Sequence, residues 1–248
     1  MIVVLAGGVG AARFLQGLVQ VVPQQEIIVI GNTGDDRAFY GLHVSPDLDI
    51  VTYTLAGVVA ETHGWGIKND TYNTMQQLTR YGNEDWFQLG DRDLATHIHR
   101  TNLLKQGKTL SEVTDAIRRL FGLELQLLPM SDQLVATHVR TPAGLLHFEE
   151  YMVKRRCEDE VQDVVFVGAE TAKPAPGVLD ALKQADAILI APSNPIVSIG
   201  SILSIPGIHD TLHEASGMVV AVSPIIGGAP IKGPADKLMR GLGIEVSA

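Results

Sequence analysis

Met1 to Leu18, MIVVLAGGVGAARFLQGL, constrains the fold more than any other stretch of the 248-residue chain. The uncharged, mainly β-branched run Ile2-Val3-Val4-Leu5 predicts a strand buried on both faces. Gly7, Gly8 and Gly10 follow, and then a helical stretch with Phe14, Leu15 and Leu18 on one side. Strand, glycine turn and helix open an α/β nucleotide-binding domain. The glycines let backbone come close to a phosphate, and the helix start aims free N–H groups and partial positive charge at it. The plainer alternative is a tight turn with no ligand.

Gly8-Val9-Gly10-Ala11-Ala12-Arg13 keeps two glycines of the dinucleotide fingerprint and places Arg13 where the third belongs; no Walker lysine follows. A second apolar strand, Ile27 to Ile30, runs into Gly31-Asn32-Thr33-Gly34-Asp35-Asp36. A dinucleotide site needs an acid for the ribose near Asn32. An amide there suits a base or phosphate contact instead, which argues against an NAD-dependent oxidoreductase.

Asp35, Asp36, Asp47 and Asp49 gather after the second strand, at the sheet edge where open α/β folds bind ligands. Asp47 and Asp49 fall in Ser45-Pro46-Asp47-Leu48-Asp49, ahead of a helix expected over Ile50 to Ala60; helix capping alone is the simpler reading of Asp47. The net charge is −9, with no Lys/Arg block, so a nucleic-acid surface is excluded. An acidic chain that handles phosphates must neutralise them locally, with amides, a few cations or a carboxylate-held divalent metal. Trp65 and Trp86 lie in a polar, loop-rich stretch from Gly64 to Asp93, where they either stack on a flat ring or seal a junction.

Further on, Leu94 to Arg100 and Asn102 to Phe121 read as helices, and Leu123 to Pro129 as a strand. Val135 to Arg140 and Gly144 to Phe148 read as a hairpin at one edge of the sheet. Ala187 to Ala191 is another buried strand that exits into Pro192-Ser193-Asn194-Pro195, whose polar groups suit a base edge, a phosphate or a metal's waters. Val219 to Ser223 exits into a third glycine-rich loop containing Gly227. The recurring strand, loop and helix predict a Rossmann-like, doubly wound, mostly parallel sheet. The expected organisation is one α/β domain over 1–248 with a mainly helical insertion at about 64–125. The single cysteine, Cys157, allows no intrachain disulfide and fits a reducing cytoplasm. No apolar run of about 18 residues appears, so no membrane span is expected.

Several longer motifs occur in one order: AGGVGAARF from Ala6, NTGDD from Asn32, SPDLD from Ser45, LGDRDLATH from Leu89, LPMSD from Leu128, APSNPIVSIG from Ala191 and SPIIGGAPIKGPADKLM from Ser223. In these the chain resembles the 2-phospho-L-lactate transferases of coenzyme F420 biosynthesis, over essentially its whole length. The resemblance implies an enzyme that moves a phospholactyl or phosphoenolpyruvyl group from a guanosine diphosphate-linked donor to the ribityl hydroxyl of the deazaflavin FO. GMP is released, magnesium is required, and the protein is a homodimer.

On this resemblance, Gly7, Gly8, Gly10 and Arg13 hold the donor's phosphates with Asn32 nearby, and Ser193, Asn194 and Gly227 complete the nucleotide pocket. Asp35, Asp36 and Asp49 are the magnesium candidates. Asp35 and Asp49 carry the catalysis, and Asp49 matches the position that contacts FO. Gln88 stands where relatives place Lys or Arg against FO, and Trp65 and Trp86 frame the deazaflavin. Family chains run roughly 60 residues further. The competing reading is a non-catalytic nucleotide-sugar-binding regulator of the same superfamily.

Overall fold

The computed structural model describes residues 1–247. Five strands, β1 (Ile2–Ala6), β2 (Ile27–Gly31), β5 (Gln126–Pro129), β9 (Ala187–Ile190) and β10 (Met218–Ala221), pair in parallel in the order β10-β9-β1-β2-β5. Side chains alternate across the sheet. Val3, Leu5, Ile28, Ile30 and Ile188 face α6 (Val178–Gln184), α7 (Gly200–Leu203) and α8 (Ile208–Glu214). Val4, Ala6, Ile27, Val29 and Leu127 face α1 (Gly8–Leu18) and α2 (Pro46–Leu55). The central strands β1 and β2 therefore read as continuous apolar runs because both of their faces are covered, whereas edge strand β10 is exposed.

The chain builds outward from β1 through β2 to β5, then returns to lay β9 on the other side of β1. The carboxyl ends of β1 and β9 thus diverge at a topological switch point, where a crevice opens.

The second helix starts four residues earlier than the sequence pattern suggests. Pro46 occupies the first helical position, where its fixed φ is suited and its missing N–H is not needed. Asp47 and Asp49 are consequently in the first turn of α2, where the helix dipole favours negative charge.

The predicted edge hairpin is also placed differently. β6 (Ala136–Thr141) and β7 (Gly144–His147) join β8 (Asp163–Val167) in a separate antiparallel sheet of order β7-β6-β8. β8 claims the free edge of β6 over Ala136–Arg140, so the hairpin does not extend the parallel sheet. This small sheet docks through Thr137 N–H, which donates to Gly34 O at 2.6 Å.

A short hairpin, β3 (Arg37–Phe39) and β4 (Leu42–Val44), precedes α2. Between α2 and β5 lie α3 (Asn73–Arg80), α4 (Asp91–Lys105) and α5 (Leu110–Leu120). The single helix expected over Asn102–Phe121 is broken because Gly107 turns left-handed at φ +89° and Thr109 and Glu112 form a reciprocal cap that starts α5. After β10 come the two-residue strands β11 (Ile225–Ile226) and β12 (Ala229–Pro230), then α9 (Ala235–Gly241). Among the described residues, no helix is long and apolar enough to cross a membrane.

Candidate active site

The exits of β1 and β9 meet at the switch point, where Gly7 N–H donates to Ser193 Oγ at 3.1 Å. A Cβ on Gly7 would lie 2.7 Å from Ser198 Cβ and 2.8 Å from Asp47 Oδ2, and one on Gly10 would lie 2.2 Å from Pro192 O. These two glycines therefore make room for neighbouring protein. The Asp47 carboxylate also lies beside Gly8, where a Cβ would stand 3.6 Å from its Oδ1, and the Gly8 N–H favours its charged form. The amides left to an anion are those of Val9 and Gly10, in the first turn of α1, where no intrahelical acceptor exists.

Asn32, fully buried at the exit of β2, organises the acids. Its Nδ2 donates to Asp47 Oδ2 at 2.8 Å and to Asp35 Oδ2 at 3.1 Å, and its Oδ1 accepts from Gly34 N–H at 2.8 Å. Its polar atoms are thus turned to protein. The nucleotide contact expected of Asn32 is replaced by a role in holding two carboxylates together. Asp36 Oδ2 accepts from Ser45 Oγ at 2.7 Å and lies 2.9 Å from His43 Nε2. Asp35 Oδ1 and Asp36 Oδ1 are buried with no protein partner, as are Thr33 Oγ1, Arg37 Nη1, Thr137 Oγ1 and His147 Nε2 close by in sequence or across the small sheet.

Glu149, just after β7, joins this set and was missed at the sequence level. Burial, reinforced by Asp47, pushes its carboxyl up to about 8, with Arg37 opposing. Burial pushes Asp47 up to about 7 against the hydrogen bond from Asn32. Burial, then the charges of Asp47, Glu149 and Asp36, raise Asp35 well above the usual carboxylate range. All three favour a proton, or a cation in its place.

Burial raises Asp49 as well, against the charges of Arg100 and His97, but it lies elsewhere. Residues two apart on a helix face different sides, so Asp47 meets the opening turn while Asp49 meets α4. Arg100 Nη2 donates to Asp49 Oδ1, and His97 Nδ1 lies 3.7 Å from Oδ2, which has no hydrogen-bond partner. His97 Nε2 in turn lies 3.2 Å from Asp93 Oδ1, which accepts from Tyr53 OH at 2.8 Å. Of the acids expected to hold magnesium, Asp49 is thus taken up by Arg100, and the acid that shares Asn32 with Asp35 is Asp47. Among the described residues no three His, Cys, Asp or Glu side chains form a ready cation cage. Two carboxylates suffice for a magnesium ion that keeps water and phosphate in its shell.

The remaining predicted residues divide. Ser193 is at the opening turn. Asn194 Oδ1 caps the wide helical turn Pro195–Ile199, accepting from Ile196 and Val197 N–H at 3.0 and 3.3 Å. Arg13 points outward to Gln16 Oε1 at 3.1 Å, leaving the phosphate role given to it without geometric support. Gly227 is an exposed turn residue at φ +61°. Gln88 is exposed and its Nε2 donates to Asp85 O. The two indoles belong to different clusters: Trp65 lies against His63, whereas Trp86 packs edge-on to Phe39 and Phe87 under Arg37.

The profile of the family described as 2-phospho-L-lactate transferase CofD matches residues 2–247. The chain belongs to this family. This CofD-family chain is 52% identical over 252 residues to a phosphoenolpyruvate transferase of Streptomyces griseus, covering 100% of this chain and 79% of that one. It is 43% identical over 246 residues to a 2-phospho-L-lactate transferase of Methanosarcina mazei, covering 99% and 80%. A crystal structure of a Bacillus halodurans protein shares the fold at a TM-score of 0.65 and 17% identity, over 97% of this chain and 75% of that one. The family and its named relatives make this a transferase of the 2-phospho-L-lactate and phosphoenolpyruvate class in F420 biosynthesis; the non-catalytic regulator is not favoured.

Proposed function

We propose that the chain takes a guanosine diphosphate-linked lactate or enolpyruvate as donor and the deazaflavin alcohol FO as acceptor. The FO hydroxyl oxygen bonds to the phosphorus that carries the lactyl or enolpyruvyl group. The bond from that phosphorus to the GMP oxygen breaks, GMP leaves, and the hydroxyl proton passes to a carboxylate. Such a transfer needs positioning and charge neutralisation more than covalent catalysis. The observation that carries this reading is the pairing of Asp35 and Asp47 on one amide, hard against Gly7 and Gly8 of the opening turn.

Asp35 and Asp47 fit a hard divalent cation. Their oxygens converge on Asn32 Nδ2, Asp35 Oδ1 is buried without a protein partner, and burial leaves both carboxylates short of compensating charge. Magnesium held there would offset the charge of the phosphoryl group in transfer. Asp36 steadies the loop through Ser45 and His43. Val9 and Gly10 N–H groups, with Ser193 setting the turn, receive the donor's phosphates. Asp49 keeps Oδ2 unpaired while Arg100 holds Oδ1, and we assign Oδ2 to orienting the acceptor hydroxyl and taking its proton.

The test is direct. The protein is incubated with FO, magnesium and each donor in turn, and products are weighed by mass spectrometry. FO-linked phospholactate or phosphoenolpyruvate with matching GMP is expected, and EDTA should stop its formation until magnesium is restored. Failure to form either adduct from either donor would overturn the reading.

A further inference from the structure

The donor site described above is rich in carboxylates, yet a diphosphate brings more negative charge to it. Gly7 N–H is already engaged by Ser193, and the Asp47 carboxylate lies close against Gly7 and Gly8, so the opening turn has less to offer an anion than its glycines suggest. A cation beside the turn is needed.

Lys232 lies close to Val9 of that turn. It follows β12 in the third glycine-rich loop, and its Nζ donates to His63 O at 2.7 Å, across 169 positions of sequence. Next to His63, Gly64 turns left-handed at φ +77°; a Cβ on it would lie 2.8 Å from Val9 Cγ1 and 3.7 Å from Lys232 Nζ. The ammonium is therefore one glycine away from Val9, whose amide is among those left free. Lys232 is exposed and forms no ion pair among the described residues. Its only hydrogen-bond partner among them is a neutral carbonyl. A phosphate oxygen is a stronger partner for an ammonium than a carbonyl is, because both charges contribute. Gly227, Gly228 and Gly233, all at positive φ, give the loop backbone freedom to follow the side chain.

We propose that Lys232 is the phosphate-binding cation of the donor site, exchanging His63 O for a non-bridging oxygen of the nucleoside diphosphate. This rests on the donor reading above and deepens it. Lys232 then supplies the phosphates with a positive charge that the carboxylate cluster lacks. The charge left on GMP when the phosphorus–oxygen bond breaks is met without a further protein rearrangement.

Calorimetry with GDP and magnesium tests this, with guanosine as a phosphate-free competitor. Lys232→Ala should weaken GDP binding roughly ten- to a hundredfold and leave guanosine competition unchanged. Lys232→Arg should recover most of the affinity. Lys237→Ala, which removes an exposed ammonium seated on Cys157 O, should bind GDP as the unaltered protein does. Unchanged GDP affinity in Lys232→Ala, or an equal loss for GDP and guanosine, would overturn the assignment while leaving the donor reading intact. An unaltered protein with no affinity for GDP would defeat the donor reading, and this inference with it.

Discussion

Asn32 Nδ2 donates to Asp47 Oδ2 at 2.8 Å, so a neutral amide at the end of β2 anchors an acid at the start of α2. The second hydrogen of the same amide serves Asp35. Replacing Asn32 with Ala leaves two buried carboxylates facing each other with no donor between them. The expected loss is about 1–3 kcal/mol of unfolding free energy at neutral pH, measured by urea titration. Product formation should fall at least about tenfold, on the scale of a displaced catalytic group. A variant as stable and active as the parent would remove Asn32 from its organising role.

The carboxylates also set a dependence on pH. Folding raises Asp47 to about 7 and Glu149 to about 8, from ordinary values near 4 in the unfolded chain. The folded state then binds more protons than the unfolded state between those limits, so stability falls as pH rises. The contribution is whole below about pH 4 and is lost as pH passes through 7 and 8. With EDTA present, the melting temperature should therefore be lower at pH 8.5 than at pH 5.5. Magnesium should narrow that gap by standing in for the protons. Parallel melting curves with and without magnesium would refute a cation at Asp35 and Asp47.

The parallel sheet was legible because β1, β2 and β9 are apolar runs without charges, and only burial on both faces tolerates that. Ser193 was legible as a polar residue at a strand exit. The side of α2 that each acid occupies was not, because the helix start was set at Ile50. With Pro46 as the first helical residue, the spacing of Asp47 and Asp49 alone separates them, so the signal lies in the proline and not in the apolar pattern. Glu149 gave no signal. Its burial depends on β6 folding back onto Gly34, a contact between segments a hundred residues apart that no local periodicity encodes. Asn32 was recognised as unusual, but its partners were not, since an amide in a loop reads equally as ligand contact or scaffold.

Gly10 illustrates the same ambiguity and can be tested. A Cβ there meets Pro192 O at 2.2 Å, a backbone atom that cannot swing aside. Gly10→Ala should force α1 and the β9 exit apart and destabilise the protein by about 1–3 kcal/mol, the usual scale of overpacking. Chemical denaturation without nucleotide measures this. A variant of unchanged stability that no longer binds GDP would return Gly10 to the ligand-contact role that the sequence suggested.

Asp49 and Arg100 allow structure and chemistry to be separated. Arg100 is only 2% exposed, and Asp49 is its carboxylate partner. Removing one member of a buried pair strands the other, at a cost of about 3–5 kcal/mol, whereas replacing both is often nearly neutral. Arg100→Met alone should unfold the protein at markedly lower urea, and Asp49→Asn alone should do so too. The double variant should regain much of the lost stability, because no unpaired charge remains between α2 and α4. If Asp49 Oδ2 orients the acceptor hydroxyl, the double variant should still transfer at least about a hundredfold more slowly, since the carboxylate is gone. Recovery of stability and turnover together would mean that Asp49 serves only to neutralise Arg100, and the acceptor would then have to be met by another group.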